Sequence, residues 1–183
     1  MDNPVVMRLT GVGAEVGLAT LRFNFRGVGS SEGSHGGGEL EIGDVGAAVR
    51  WLRDRVGPAV PLVLAGYSFG ALVGARAAQR SSEVSVAGLL LVAPPLILIP
   101  GEESALPVDP TRPLLVIAGD RDPYCPESAA RALVSSRPGA KLVVLDQTDH
   151  FFFGRLYPLG HAAGSWLRGL LAARQPARGG GAG

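Results

Sequence analysis

Five residues in the middle of the chain carry the strongest chemical signal: Gly66-Tyr67-Ser68-Phe69-Gly70. They directly follow the apolar run Leu62-Val63-Leu64-Ala65 and open a small-residue stretch, Phe69 to Arg80, that reads as a helix. That setting gives the pattern its meaning. Two glycines permit a strand-to-helix turn tight enough to force Ser68 into a strained conformation, with its hydroxyl exposed above a sheet. The helix starting at Phe69 aims its first amides and the positive end of its dipole at the same spot. The alternative is an unremarked serine in a glycine-rich turn; the strand–turn–helix context favours a nucleophile.

A nucleophilic serine needs a base, and the base needs an orienting carboxylate. The chain has three histidines. His35 sits in a glycine-rich loop ahead of the run that reaches Ser68, and His161 opens the last helix, where a solvated histidine is the default. His150 follows the last apolar run, in Asp146-Gln147-Thr148-Asp149-His150-Phe151, which places it in a loop at a strand's carboxyl end. That position makes it the base; packing beneath Phe151-Phe152-Phe153 is its structural alternative. For the carboxylate, Leu114 to Ala118 runs into Gly119-Asp120-Arg121-Asp122-Pro123. Asp120 and Asp122 both qualify, whereas Asp149 adjoins the histidine and points away from its ring. Asp122 is preferred because Pro123 turns the chain there and leaves Asp120 to brace the loop with Arg121. The chain order is then Ser68, Asp122, His150.

Other chemistries fit less well. Gly27-Val28-Gly29 and Gly33 follow an alternating stretch, but the spacing is one residue too long for a dinucleotide loop. About 20 residues on stands Arg53 in a helical stretch rather than an acid at a strand end. Asp120, Asp122, Asp149 and His150 show no metal-ligand spacing, so no metal is expected. Cys125 reads as a buried small hydrophobe or inert loop thiol.

The elements that must position these residues alternate along the chain. Asn3 caps a helix whose first residue is Pro4, with Val5, Leu9, Val12 and Val16 on one face and Gly17 closing it. Leu21, Phe23 and Phe25 alternate with Arg22, Asn24 and Arg26, a strand by period. A helix with Val45, Val49, Leu52 and Val56 on one face stops at Gly57-Pro58. Four continuous apolar runs follow, Leu62 to Ala65, Leu89 to Val92, Leu114 to Ile117 and Leu142 to Leu145, with helices at 69–80, 127–136 and 160–173. Strands apolar on both faces belong to a parallel sheet covered on both sides. The pattern predicts an open α/β layer fold with its ligand site outside the carboxyl ends of the strands.

Length and composition bound the rest. The 183 residues make one domain, residues 1–174, with a disordered tail at 175–183. At 46% hydrophobic and 18% charged the chain can bury a core, and a net charge of +1 excludes a nucleic-acid or anionic-membrane footprint. One cysteine excludes an internal disulfide and fits a reducing compartment. The N-terminus lacks a signal-peptide pattern, and the apolar stretch from Leu89 to Ile99 is split by Pro94-Pro95. A cytoplasmic location is expected, with a small-molecule partner rather than nucleic acid or membrane.

Four stretches together resemble the α/β-hydrolase superfamily, and more narrowly its small, lidless bacterial serine esterase-like hydrolases. They are Arg22-Phe23-Asn24-Phe25-Arg26-Gly27-Val28-Gly29-Ser30-Ser31-Glu32-Gly33, Gly66-Tyr67-Ser68-Phe69-Gly70, Gly119-Asp120-Arg121-Asp122-Pro123 and Asp149-His150-Phe151-Phe152. They fall in family order, and the likeness covers Met1 to about Ala172. It implies a mainly parallel sheet with helices on both faces, with Ser68 as nucleophile, Asp122 as acid, His150 as base and the Phe69 amide as one oxyanion donor. It also implies an open site, since the Pro94 to Pro113 stretch is too short for a lid domain, and a small acyl substrate such as a carboxylic ester. No cofactor is implied.

The same likeness implies that the family's first strands are absent here. In relatives, strands precede the helix at Asn3, and a loop after one of them supplies the second oxyanion donor. Two of those strands would flank Leu21 to Phe25, one of them lying between it and Leu62 to Ala65. Two outcomes follow: the remaining strands close up and pair, or an open edge is left. The alternative function is a catalytically impaired or non-catalytic form lacking half of the oxyanion hole.

Overall fold

The computed structural model describes residues 2–98, 106, 108–135 and 137–174. Its elements are, in chain order, α1 (Pro4–Glu15), α2 (Glu41–Val56), β1 (Val63–Tyr67), α3 (Phe69–Arg80), β2 (Gly88–Val92), a 3₁₀ turn at Leu96–Leu98, β3 (Leu114–Gly119), α4 (Glu127–Ser135), β4 (Ala140–Leu145) and α5 (Leu156–Ala172). The tail expected to be disordered, 175–183, lies outside the described residues.

Local chemistry sets the helix ends. Asn3 Oδ1 accepts from the Val5 and Val6 amides at 3.0 and 3.3 Å, and Pro4 occupies the first position, where no amide is needed. α2 ends at Gly57, whose φ of 98° suits glycine. α5 starts at Leu156 rather than the expected Gly160. Pro158 does not delay it, because first-turn residues have no intrahelical acceptor for an amide anyway.

The four strands form one parallel sheet in the order β1-β2-β3-β4, with Val63 beside Gly88, Leu89 beside Leu114 and Leu114 beside Ala140. Every residue of β2 and β3 is buried, as continuous apolar runs require. Cross-strand partners share a face. Leu64, against which Gly74 of α3 packs, therefore lies opposite to Gly88, against which Trp166 and Leu170 of α5 pack. Helices thus cover both faces, α3 on one and α5 on the other. α1 packs on α5, and α2 packs on α3.

β1 is different. Ser68 donates its backbone N–H to Val92 O at 2.9 Å and Leu62 O accepts from Ala87 at 2.7 Å, so even-numbered residues turn their backbone groups toward β2. By the two-residue period Val63, Ala65 and Tyr67 turn theirs the other way. That side is open: Ala65 is exposed in mid-strand, and a cavity of about 500 Å³ lies alongside, lined by Leu9, Phe23, Phe25, Leu52, Leu64 and Leu167 among others.

The expected strand at Leu21–Phe25 does not form. Residues 18–25 carry no strand, although their alternating pattern is real. The reason is the lack of a partner among the described residues. The cavity separates this segment from β1, so the two do not close up, and a lone extended segment has no ladder to join. Phe23 and Phe25 instead pack edge to face at 5.4 Å, and Phe25 meets Phe69 at 5.7 Å.

Alternate amides of β1 should therefore differ in hydrogen exchange. Leu64, Gly66 and Ser68 should be protected, while Val63, Ala65 and Tyr67 exchange at least tenfold faster under native conditions. Uniform protection along β1, read by NMR, would show that its outer edge is paired.

Candidate active site

Ser68 stands one residue past β1 with φ 50° and ψ −119°, a conformation costly for any residue with a Cβ. Its amide bonds to β2 through Val92 O, and its carbonyl accepts from Ala71 and Leu72 at 2.9 and 3.2 Å, which starts α3. Gly66 must be glycine here, because a Cβ on it would strike the backbone of Gly70. Phe69 takes the first helical position, so its N–H has no intrahelical acceptor and sits beside Ser68 at the positive end of α3.

His150 and Asp122, 7% and 4% exposed, complete a hydrogen-bonded chain. His150 Nε2 lies 2.9 Å from Ser68 Oγ, and His150 Nδ1 lies 2.8 Å from Asp122 Oδ2. The other oxygen of Asp122 accepts from the Tyr124 and Cys125 amides at 2.8 and 3.1 Å, the turn that Pro123 introduces. Both oxygens of this buried group are thereby used, as burial of a carboxylate demands.

The neighbouring acids do other work. Asp120 Oδ1 accepts from the Thr148 amide at 2.9 Å. Bonds from the Thr148 and Gln147 amides hold its carboxyl below the usual range. It braces the loop that carries His150, rather than its own loop with Arg121. Asp149 accepts from the Phe151 amide and turns into that same loop.

Sequence reasoning missed the parts that aim this loop. Gly119 ends β3 where a Cβ would strike the Thr148 carbonyl, so only glycine lets the β4 loop pass over. The Arg121 amide donates to that carbonyl at 3.0 Å. Tyr67 donates its hydroxyl to His150 O at 2.9 Å, and its ring lies 5.5 Å from the imidazole. Burial, with the Asp122 and Asp149 charges adding, pushes the Tyr67 hydroxyl up to about 12, which keeps it a donor. The glycine before Asp120 was a readable sign of close approach; nothing adjacent in sequence pointed Tyr67 at His150.

Strain collects at this end of the sheet. Ser68, Ala93 and Gln147, each within two residues of the end of β1, β2 or β4, have positive φ, as does fully buried Phe152. On the far side of Phe69, the glycine-rich loop is held by buried Glu41, which accepts from the Gly36 and Gly38 amides at 2.7 and 2.8 Å. His35 sits 2.9 Å from the same carboxylate and against the Phe69 ring, and Arg26 grips Asp44 at the loop's start. His161 is exposed on α5. Burial, with the Asp122 charge adding, pushes the Cys125 thiol up to about 12, so it is inert. Among the described residues no three His, Cys, Asp or Glu side chains converge as a metal site requires, and no helix is long and apolar enough to cross a membrane.

The chain is similar to several known proteins. A serine hydrolase family model matches residues 52–157, from α2 through the loop bearing His150. An α/β serine hydrolase homologue from Coxiella burnetii is 36% identical, with TM-score 0.78, over 90% of this chain and 76% of its own. A serine hydrolase without a lid from Xanthomonas campestris is 34% identical, with TM-score 0.79, over 92% of this chain and 74% of its own. An uncharacterized protein of Rickettsia prowazekii is 29% identical over 158 residues, and the chain spans 66% of that relative's length. The chain belongs to the serine hydrolase family and has the α/β-hydrolase fold.

Proposed function

We propose that the protein hydrolyses a carboxylic ester or a related small acyl substrate through an acyl-Ser68 intermediate. The observation that carries this reading is the unbroken chain from Ser68 Oγ through His150 to Asp122, with links of 2.9 and 2.8 Å, at an elbow under backbone strain. His150 Nε2 takes the Ser68 proton as Oγ attacks the acyl carbon, and the Phe69 amide meets the developing oxyanion. The adduct collapses, the C–O bond to the leaving group breaks, and His150 passes that proton to the departing alkoxide. Water then repeats the cycle, with His150 as base, and frees the acid. Asp122 holds the imidazole tautomer and balances its transient charge.

A fluorophosphonate probe should label the wild-type protein on Ser68 and leave Ser68→Ala unlabelled. Labelling that survives in Ser68→Ala would remove Ser68 as the nucleophile. On p-nitrophenyl esters, Asp122→Asn should lower kcat by around 10⁴ by disfavouring the productive tautomer, with Asp120→Asn costing far less. Equal losses would mean that both carboxylates act on the histidine. Tyr67→Phe keeps the ring but removes the donor to His150 O, so kcat should fall about tenfold at unchanged KM. A rise in KM alone would instead assign Tyr67 to substrate binding.

A further inference from the structure

Resting on the acyl-serine reading above, we propose that the alcohol half of the substrate is apolar and lies on an aromatic shelf formed by Tyr124, Phe151 and Phe153. The alcohol oxygen has to come within hydrogen-bond reach of His150 Nε2, because that nitrogen hands it the proton as the C–O bond breaks. Solvent-exposed groups packed beside the imidazole therefore border the alcohol. The Tyr124 ring lies edge-on to it at 4.9 Å and the Phe151 ring at 5.8 Å. Phe153 extends the surface outward, 5.8 Å from Phe151.

These rings stand out in water: Tyr124 is 40% exposed, Phe151 59% and Phe153 77%. Their loop is not slack. Phe152, between the two exposed phenylalanines, is fully buried, and the Phe151 amide is tied to Asp149. The His150 carbonyl is tied to Tyr67, and the Thr148 amide to Asp120. A chain held this firmly keeps Phe151 and Phe153 turned outward, and among the described residues their surface stays open to what enters the site. A hydrocarbon alcohol gains from that burial; a polar one does not. The acyl carbonyl is directed toward Ser68 and the Phe69 amide, which meets the developing oxyanion.

The test uses two ester series in which the leaving alcohols have nearly equal acidity, so that intrinsic reactivity stays level. In ethyl, butyl and hexyl acetate, kcat/KM should rise about two- to fourfold per methylene. In ethyl acetate, butyrate and hexanoate it should rise much less. The double variant Phe151→Ala/Phe153→Ala should flatten the first slope, and Phe151→Leu/Phe153→Leu should restore most of it. The slope is read within each variant, so a loss of absolute rate does not blur it. A flat alcohol series in wild type, a slope that follows the acyl chain, or a slope that survives the double alanine variant would overturn the shelf. Fluorophosphonate labelling of Ser68 in that same wild-type sample separates the two failures. A flat series with labelling sinks the shelf alone, and no hydrolysis without labelling sinks the acyl-serine reading and the shelf with it.

Discussion

β4 lies three strand positions from β1, roughly 14 Å away at about 4.8 Å per strand, yet the histidine that follows β4 reaches the serine that follows β1. The loop after β4 has to cross back over the ends of β3 and β2, and most of what is unusual at this end of the molecule serves that crossing. Gly119 clears the path under the Thr148 carbonyl. Asp120 and the Arg121 amide hold Thr148 as it passes, and Tyr67 catches the far end through the His150 carbonyl. The strained residues Gln147 and Phe152 bracket the same segment. Each contact is an ordinary hydrogen bond or close approach. Together they bring the imidazole within 2.9 Å of Ser68 Oγ.

Burial then amplifies what these groups do to one another. Asp122 is almost inaccessible, and its two oxygens are occupied by His150 and by two backbone amides. Both Tyr67 and Cys125 are pushed upward first by burial and then by the Asp122 charge. The Asp122 charge therefore reaches both groups, through a medium where charges interact more strongly than in water.

The other end of the sheet obeys a different constraint. β2 and β3 are buried because they have strands on both sides and helices above and below. β1 has a neighbour on one side, and the cavity takes the place of the other. The aromatic residues of 21–25 respond by packing rather than pairing, and Phe25 reaches Phe69 at the start of α3. The open edge and the turn that carries Ser68 thus share a strand only five residues long.

Much of this was legible before any coordinates. Continuous apolar runs specify a buried parallel sheet, Asn3-Pro4 specifies a helix start, and Gly66-Tyr67-Ser68-Phe69-Gly70 specifies a strained turn, since each is a local rule about backbone freedom or burial. The positions of Asp122 and His150 after strands were equally readable, and so was the turn that Pro123 makes. What the sequence could not decide depends on residues far apart in the chain. Leu21 to Phe25 has a strand's period, but a strand exists only when a neighbour offers its backbone, and the cavity beside β1 denies it one. Tyr67 and His150 are 83 positions apart, and Asp120 and Thr148 28. Local pattern carries no information about which side chains meet across a sheet, because only the register of the strands and the path of the crossing loop determine it.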